Sequence, residues 1–424
     1  MKYLVFTILS IFLSFFSDAQ NPLSLKECHE LAVQNYPLVK QKDLIKQFEE
    51  ERIQQLSKNF LPKVDLNLQA SYQSDVTSLN ASGATGIPIG LLPNLSKDNY
   101  KVNLDIQQLI WDGGITKMKK KIESMEGRIK EQNLAIELYK VKDHINQLFF
   151  SNLLLDKQIK ILKLTKENLQ KTIKELTLLV EQGMALQSDL DMLKAESITI
   201  DQKVTELKHN QISVLQMLSI YINKEISPTQ VFALNTNTKI LELTNMRPEL
   251  KSFDLNLLKF EINKSVIDAS KRPFIVANGK FGYGRPALNM LSNDFDTYYK
   301  LSVALKWNLW DWNKKKSEKN LLSIQSAMIN KQKETFKYNI NIQHQKLLTE
   351  IQKYQDFIEQ DVNITELRSN ILKTSKSKLN SGTITSASYI TEFNKEIQSK
   401  LNFEYHKIQL ELAKQNLKQL LGHN

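Results

Sequence analysis

Four landmarks repeat in this chain, and they do so in two fixed registers. Pro37 and Pro248 stand 211 positions apart, and so do Pro62 and Pro273. Their surroundings correspond: Asn35-Tyr36-Pro37-Leu38 against Met246-Arg247-Pro248-Glu249-Leu250, and Phe60-Leu61-Pro62 against Lys271-Arg272-Pro273. Further on, Trp111-Asp112-Gly113 matches Trp310-Asp311-Trp312 at an offset of 199, and Gly183 matches Gly382 at the same 199. The offset drops by 12 between Pro62 and Asp112 and is constant on either side. A unit duplicated in tandem, with one loop changed in length, has this signature. The loop is the Ser/Gly/Pro-rich stretch 74–96, answered by the shorter 284–296. The chain is read as a first repeat over 20–222, a linker over 223–245 and a second repeat over 246–424.

Inside each repeat the hydrophobic period changes. Residues 24–59 have helical spacing, with Leu31, Leu38, Ile45, Phe48 and Ile53 on one stripe. After Pro62 the period becomes two: Val64, Leu66, Leu68, Ala70 and Tyr72 alternate with Asp65, Asn67, Gln69 and Ser71. The spacing predicts strands over 64–73 and 99–108, and again over 274–284 and 298–308. Each is about 10 residues long, the length that crosses a bilayer when tilted. One face is apolar and the other polar, as a wall between lipid and water requires. The ordinary alternative is a half-buried sheet in a soluble domain, but a lone two-stranded hairpin is marginal in water.

Helices are then predicted without Pro from Asp112 to about Val180 and from Asp311 to about Lys378. At 1.5 Å per residue, ~68 residues make a rod of roughly 100 Å, which calls for coiled-coil packing. Each rod ends in a short turn, Glu181-Gln182-Gly183-Met184 or Asn380-Ser381-Gly382-Thr383, and a return helix follows, giving hairpins over 112–222 and 311–421. Twelve glycines in 424 residues suit such helices, being well below the usual ~7%. A mean hydropathy of −0.36 excludes a polytopic helical membrane protein.

The start of the chain reads as a secretory signal over 1–19: Lys2, an apolar Leu4–Phe16, and Ser17-Asp18-Ala19 as a small-x-small cleavage site. The single cysteine, Cys28, excludes an intrachain disulfide. Leu25-Lys26-Glu27 before it is no lipidation box, so Cys28 is expected to be a small buried hydrophobe. The net charge of +11 is spread at helical spacing among Glu and Gln, which argues for solvated faces and against a nucleic-acid partner.

A sheet in a membrane must close, because open edges cannot be satisfied in hydrocarbon. Four strands are too few, the smallest single-chain barrels using ~8, so the chain is expected to oligomerise. Helical rods attached to such a barrel would make a tube. The sequence resembles the TolC family of outer-membrane efflux and secretion proteins over nearly its whole length. The carriers are the duplication, Leu23-Ser24-Leu25, Asn35-Tyr36-Pro37, Leu109-Ile110-Trp111-Asp112-Gly113-Gly114 with its echo Leu309-Trp310-Asp311-Trp312-Asn313, and Gln182-Gly183 followed by Ser188-Asp189-Leu190. The resemblance implies a mainly α fold with membrane β: a homotrimer sharing a 12-stranded β-barrel that continues into a periplasmic α-barrel of long helical hairpins. It implies an exit duct in the Gram-negative outer membrane, serving a tripartite efflux pump or a type I secretion system. Its partners would be a periplasmic adaptor, an inner-membrane transporter and outer-membrane lipid.

Site residues follow from position. Asp112 and Asp311 stand where a strand passes into a helix, where a carboxylate caps free N–H groups and favours the helix dipole. Gly113 and Gly114 allow a sharp turn; Trp312 and Asn313 replace them in the second repeat, so that turn is expected to be stiffer. All four tryptophans, Trp111, Trp307, Trp310 and Trp312, cluster at strand ends, where an interfacial aromatic belt belongs. Ordinary core tryptophans would not explain why none lies in the helices. By the resemblance, the turns at Gly183 and Gly382 are the periplasmic tips that meet the adaptor, with Asp189 beside the first. The family's gate carboxylates would fall at Ser388 and Thr391, so an acidic constriction is not expected, and Asp189, Asp191 or Glu392 would substitute only in part.

Other function classes have little support. The six histidines form no metal-spaced cluster, Gly279, Gly282 and Gly284 sit in a strand with no helix after them, and no enzyme, cofactor or metal is expected. A periplasmic coiled-coil adaptor is the alternative, but an adaptor carries one hairpin, where this chain has two.

Overall fold

The computed structural model describes residues 22–76, 95–233 and 245–423. The expected signal at 1–19 lies outside them, as do residues 77–94 of the variable loop and 234–244 of the linker. Most of the described chain is helical, with one four-stranded sheet and one two-stranded pair. It divides into two compact units, and each draws on both sequence halves.

The first unit takes the chain up to Lys42, Gln132–Lys251 and Lys333 onward. It opens on β1 (Leu23–Ser24) and α1 (Leu25–Asn35). Ser24 caps α1 by accepting from the Glu27 amide at 3.2 Å. Tyr36 is extended and Pro37 follows, so the helix cannot continue. β1 pairs in parallel with β4 (Phe232–Ala233). The long helices α3 (Ile115–Glu181) and α6 (Lys314–Asn380) each have 67 residues, and the return helices α4 (Gln187–Ile222) and α7 (Ser386–Leu420) have 36 and 35. Cys28 and Ala32 of α1 are fully buried against Ile145, Phe149, Leu218 and Ile222. A second core joins both hairpins: Leu162, Leu169 and Leu176, seven residues apart on α3, pack with Leu193 and Ile200 and with Tyr389, Phe393 and Ile397.

The second unit takes Asp43–Glu131 and Ser252–Gln332. It holds α2 (Gln41–Ser57, from Asp43), most of α5 (Pro248–Ala269) and four strands. These are β2 (Lys63–Tyr72), β3 (Asp98–Trp111), β5 (Phe274–Arg285) and β6 (Asp296–Lys306), antiparallel in the order β2-β3-β5-β6. Among the described residues β2 and β6 each have one strand neighbour, which leaves both outer edges open. The long helices begin three residues later than the aspartates at which the sequence starts them, because Asp112–Gly114 and Asp311–Asn313 form the turns. No helix among the described residues is long and apolar enough to cross a membrane.

Candidate functional site

Register assigns every side chain of the sheet to one of two faces. Directly paired residues share a face, and the rows Leu66–Leu104–Phe281–Tyr299 and Val64–Ile106–Gly279–Leu301 lie on one of them. This face is apolar and open: Leu68 is 73% exposed and Val303 75%. An exposed apolar surface of this extent marks a site of interaction. The other face is polar, with rows Asp65–Asp105–Lys280–Lys300 and Asn67–Asn103–Gly282–Tyr298. Lys280 pairs with Asp105 at 3.2 Å, and Asn67 donates to the same carboxylate at 2.7 Å. Gly282 is required there: a Cβ would meet Asn103 Oδ1 and the Tyr298 ring at 2.5 Å, where Tyr298 crosses to donate to Asn103.

Trp111 reaches the apolar face by a β-bulge. Odd-numbered residues of β3 up to Leu109 lie on the polar face, but the register shifts before Trp111, which pairs with Ile275. The extra residue, Ile110, re-aims the tryptophan. Trp307 stands one residue past the end of β6, and its indole N–H donates to the Lys271 carbonyl at 2.9 Å. Trp310 and Trp312 meet edge to face with centroids 5.8 Å apart, both exposed. The loop end of the sheet carries a second aromatic group that sequence analysis left out. Phe295 stacks on Tyr100 at 6.3 Å and Tyr283 at 5.7 Å, with the Arg285 guanidinium over Tyr100 at 5.8 Å. Aromatic residues at the loop ends of three strands were the available signal.

The strand-to-helix turns are built on carboxylates. Asp112 is only 8% exposed. It accepts from the Gly114 amide at 2.9 Å and the Thr116 amide at 2.6 Å. Burial opposes its charge, but the hydrogen bonds from Thr116 and Gly114 outweigh it and hold the carboxyl below its usual range. Gly113 and Gly114 have φ of 70° and 92°, and a Cβ on Gly113 would lie 2.9 Å from Arg272 Cβ. Asp311 caps more weakly, accepting from the Lys315 amide at 3.3 Å. Trp312 and Asn313 take the same left-handed backbone, φ 53° and 61°. Asn tolerates this region and tryptophan does not, so the second turn is strained at Trp312.

At the far ends of the hairpins, Gly183 and Gly382 have φ of 73° and 69° and close matching helix ends. Met184 donates to Leu179 at 2.8 Å, and Thr383 donates to Lys378 at 2.9 Å. Asp189 is not a free carboxylate: it accepts from the Ser386 amide at 3.1 Å and so caps α7 of the other hairpin. Ser388 bonds Thr385 through its amide at 3.3 Å, and Thr391 donates to the Ala387 carbonyl at 3.0 Å. Asp191 accepts from Gln187 at 2.8 Å; Glu392 pairs with Lys395 at 2.7 Å and Arg368 at 3.2 Å. Glu175 binds Lys376 and Asn380 across the two hairpins at 3.0 and 3.1 Å. Burial works against the Glu175 charge, and these two partners overcome it, lowering its pKa.

No family model and no curated protein matches the sequence, but solved structures match the fold. CusC, whose crystal structures concern transmembrane channel formation, gives a TM-score of 0.71 at 13% identity over 97% of this chain and 94% of that one. The CmeC outer membrane channel of Campylobacter jejuni gives 0.64 at 14% identity, covering 94% and 85%. The outer membrane protein VceC of Vibrio cholerae gives 0.67 at 12% identity, covering 94% and 96%. The fold of this chain is that of the outer-membrane channels of the TolC family.

Proposed function

We propose that the protein is a passive exit duct in the outer membrane of a Gram-negative bacterium. It would receive substrates from an inner-membrane transporter through a periplasmic adaptor, in a tripartite efflux pump or a type I secretion system. The observation that carries this reading is the sheet: an exposed apolar face backed by a polar one, with both outer edges open. Open edges cannot face lipid, and three copies bring twelve strands into a closed barrel. The matching helix lengths, 67 and 67, then 36 and 35, support a tandem duplication that places two hairpins in each copy. The tryptophans at the helix side would sit at the inner lipid interface and the Tyr100–Phe295 group at the outer one. The turns at Gly183 and Gly382 would meet the adaptor. The likeness to channels over 94–97% of the chain favours this reading over an adaptor.

The test is the native mass of protein extracted in detergent from purified outer membranes. A heat-resistant trimer is expected. A water-soluble monomer or dimer from the periplasm would mean that the alternating segments are ordinary sheet, and the duct reading would fail.

A further inference from the structure

The composition of the second strand-to-helix turn is not explained by packing. At the first turn Gly113 is needed, because Arg272 and the Ala269 carbonyl leave no room for a Cβ. The second turn repeats the backbone sense with Trp312 at φ 53°, and that tryptophan is 85% exposed. A large aromatic is held in a disfavoured conformation and gains no burial from it, which points to something outside the chain.

Beside it lies a cavity of about 320 Å³, lined by Trp307, Trp310, Trp312 and Asn313, by two cations, Lys271 and Lys315, and by one carboxylate, Asp311, which accepts from the Lys315 amide at 3.3 Å. Lys315 Nζ is oriented by the Ser270 carbonyl at 2.7 Å, a neutral acceptor. Lys271 comes no nearer than 4.0 Å to Asp268, whose carboxylate is engaged by Lys319 at 2.6 Å. Exposed Lys314 and Lys316 flank the site in sequence. Trp307, anchored to the Lys271 carbonyl, directly follows β6, whose Val303 and Leu305 lie on the apolar face. With two lysines against the one Asp311 carboxylate, the site joins net positive charge to an aromatic wall at the end of an apolar face.

We propose that this cavity binds the headgroup of an anionic phospholipid, its phosphate between Lys271 and Lys315 and its acyl chains along the apolar face of β6. Free phosphate shares the charge chemistry, but it has no use for three indoles or for the apolar strand beyond them. Lysine near a membrane surface attracts acidic lipid, and tryptophan prefers the headgroup level. The proposal rests on the reading of the sheet as a membrane wall.

The experiment uses the full-length protein in detergent and native mass spectrometry after addition of phosphatidylglycerol or phosphatidylcholine. Phosphatidylglycerol is expected to be retained in preference to phosphatidylcholine. K271Q/K315Q is expected to lose about tenfold or more of that retention, two surface lysines being worth roughly that much. Trp312→Gly separates binding from folding: glycine suits the left-handed backbone, so thermal stability should rise while lipid retention falls. Equal retention of the two lipids, or retention unchanged in both variants, overturns the proposal. Displacement of the lipid by millimolar inorganic phosphate would assign the site to free anion and likewise overturn it. Recovery of the protein in water without detergent would instead remove the membrane reading itself, a result visible before any lipid is added.

Discussion

Gly113 and Trp312 occupy matching turns in opposite circumstances, which makes their substitutions diagnostic. Gly113→Ala adds a Cβ 2.9 Å from Arg272 Cβ at a φ of 70°, and should destabilise by about 1–3 kcal/mol in thermal or denaturant unfolding. Trp312→Gly relieves a left-handed non-glycine residue and should stabilise by about 1 kcal/mol. His29 supplies a second residue-level prediction. It is buried and bonded to Asn146 at 2.8 Å. Burial pushes its pKa down to about 4 despite the raising effect of Asn146. The unfolded chain takes up this proton near pH 6.5 and the folded chain does not, so stability is constant above that pH and declines as pH falls toward 4. By pH 5 the loss should reach about 2 kcal/mol. His29→Asn should flatten this part of the pH profile of the melting temperature; an unchanged slope would assign the acid sensitivity elsewhere.

At the scale of elements, the two hairpins hold each other at their tips. Asp189 follows α4's start but caps α7, and Glu175 of α3 binds Lys376 and Asn380 of α6. Asp189→Ala should therefore loosen the first turn of α7, seen as faster amide hydrogen exchange at Ser386–Tyr389, at a cost of about 1 kcal/mol. If exchange quickens only in α4, the cross-hairpin cap is not a significant contact. The lowered pKa of Glu175 means that its contribution is present at neutral pH and is lost as pH falls through the folded carboxylate range. The strands were readable because a period of two is a local property. The bulge at Ile110 was not: alternation alone puts Trp111 on the polar face, and only pairing with β5 reveals the extra residue. The tip carboxylates divide in the same way. The absence of acid at Ser388 and Thr391 is plain in the sequence, while the capping bond of Asp189 depends on a residue 197 positions away.

For the whole molecule, the lack of acid at Ser388 and Thr391 and the pairing of Glu392 with Lys395 and Arg368 predict that the proposed duct has no strong acidic filter at its entrance. Single-channel reversal potentials in a salt gradient should show at most a weak cation preference. A strong preference would mean that carboxylates line the passage after all. The sequence by itself determined which segments are strands and which are long helices, where each hairpin turns, and that one face of the sheet is apolar. These follow from period, breakers and composition, which act over a few residues. Only the tertiary structure decided that both hairpins share one core, that β3 pairs with β5 across the repeats, that Trp111 reaches the apolar face, and whose helix Asp189 caps. Such contacts join residues far apart in the chain, and their geometry is set by packing and register, which no local pattern encodes.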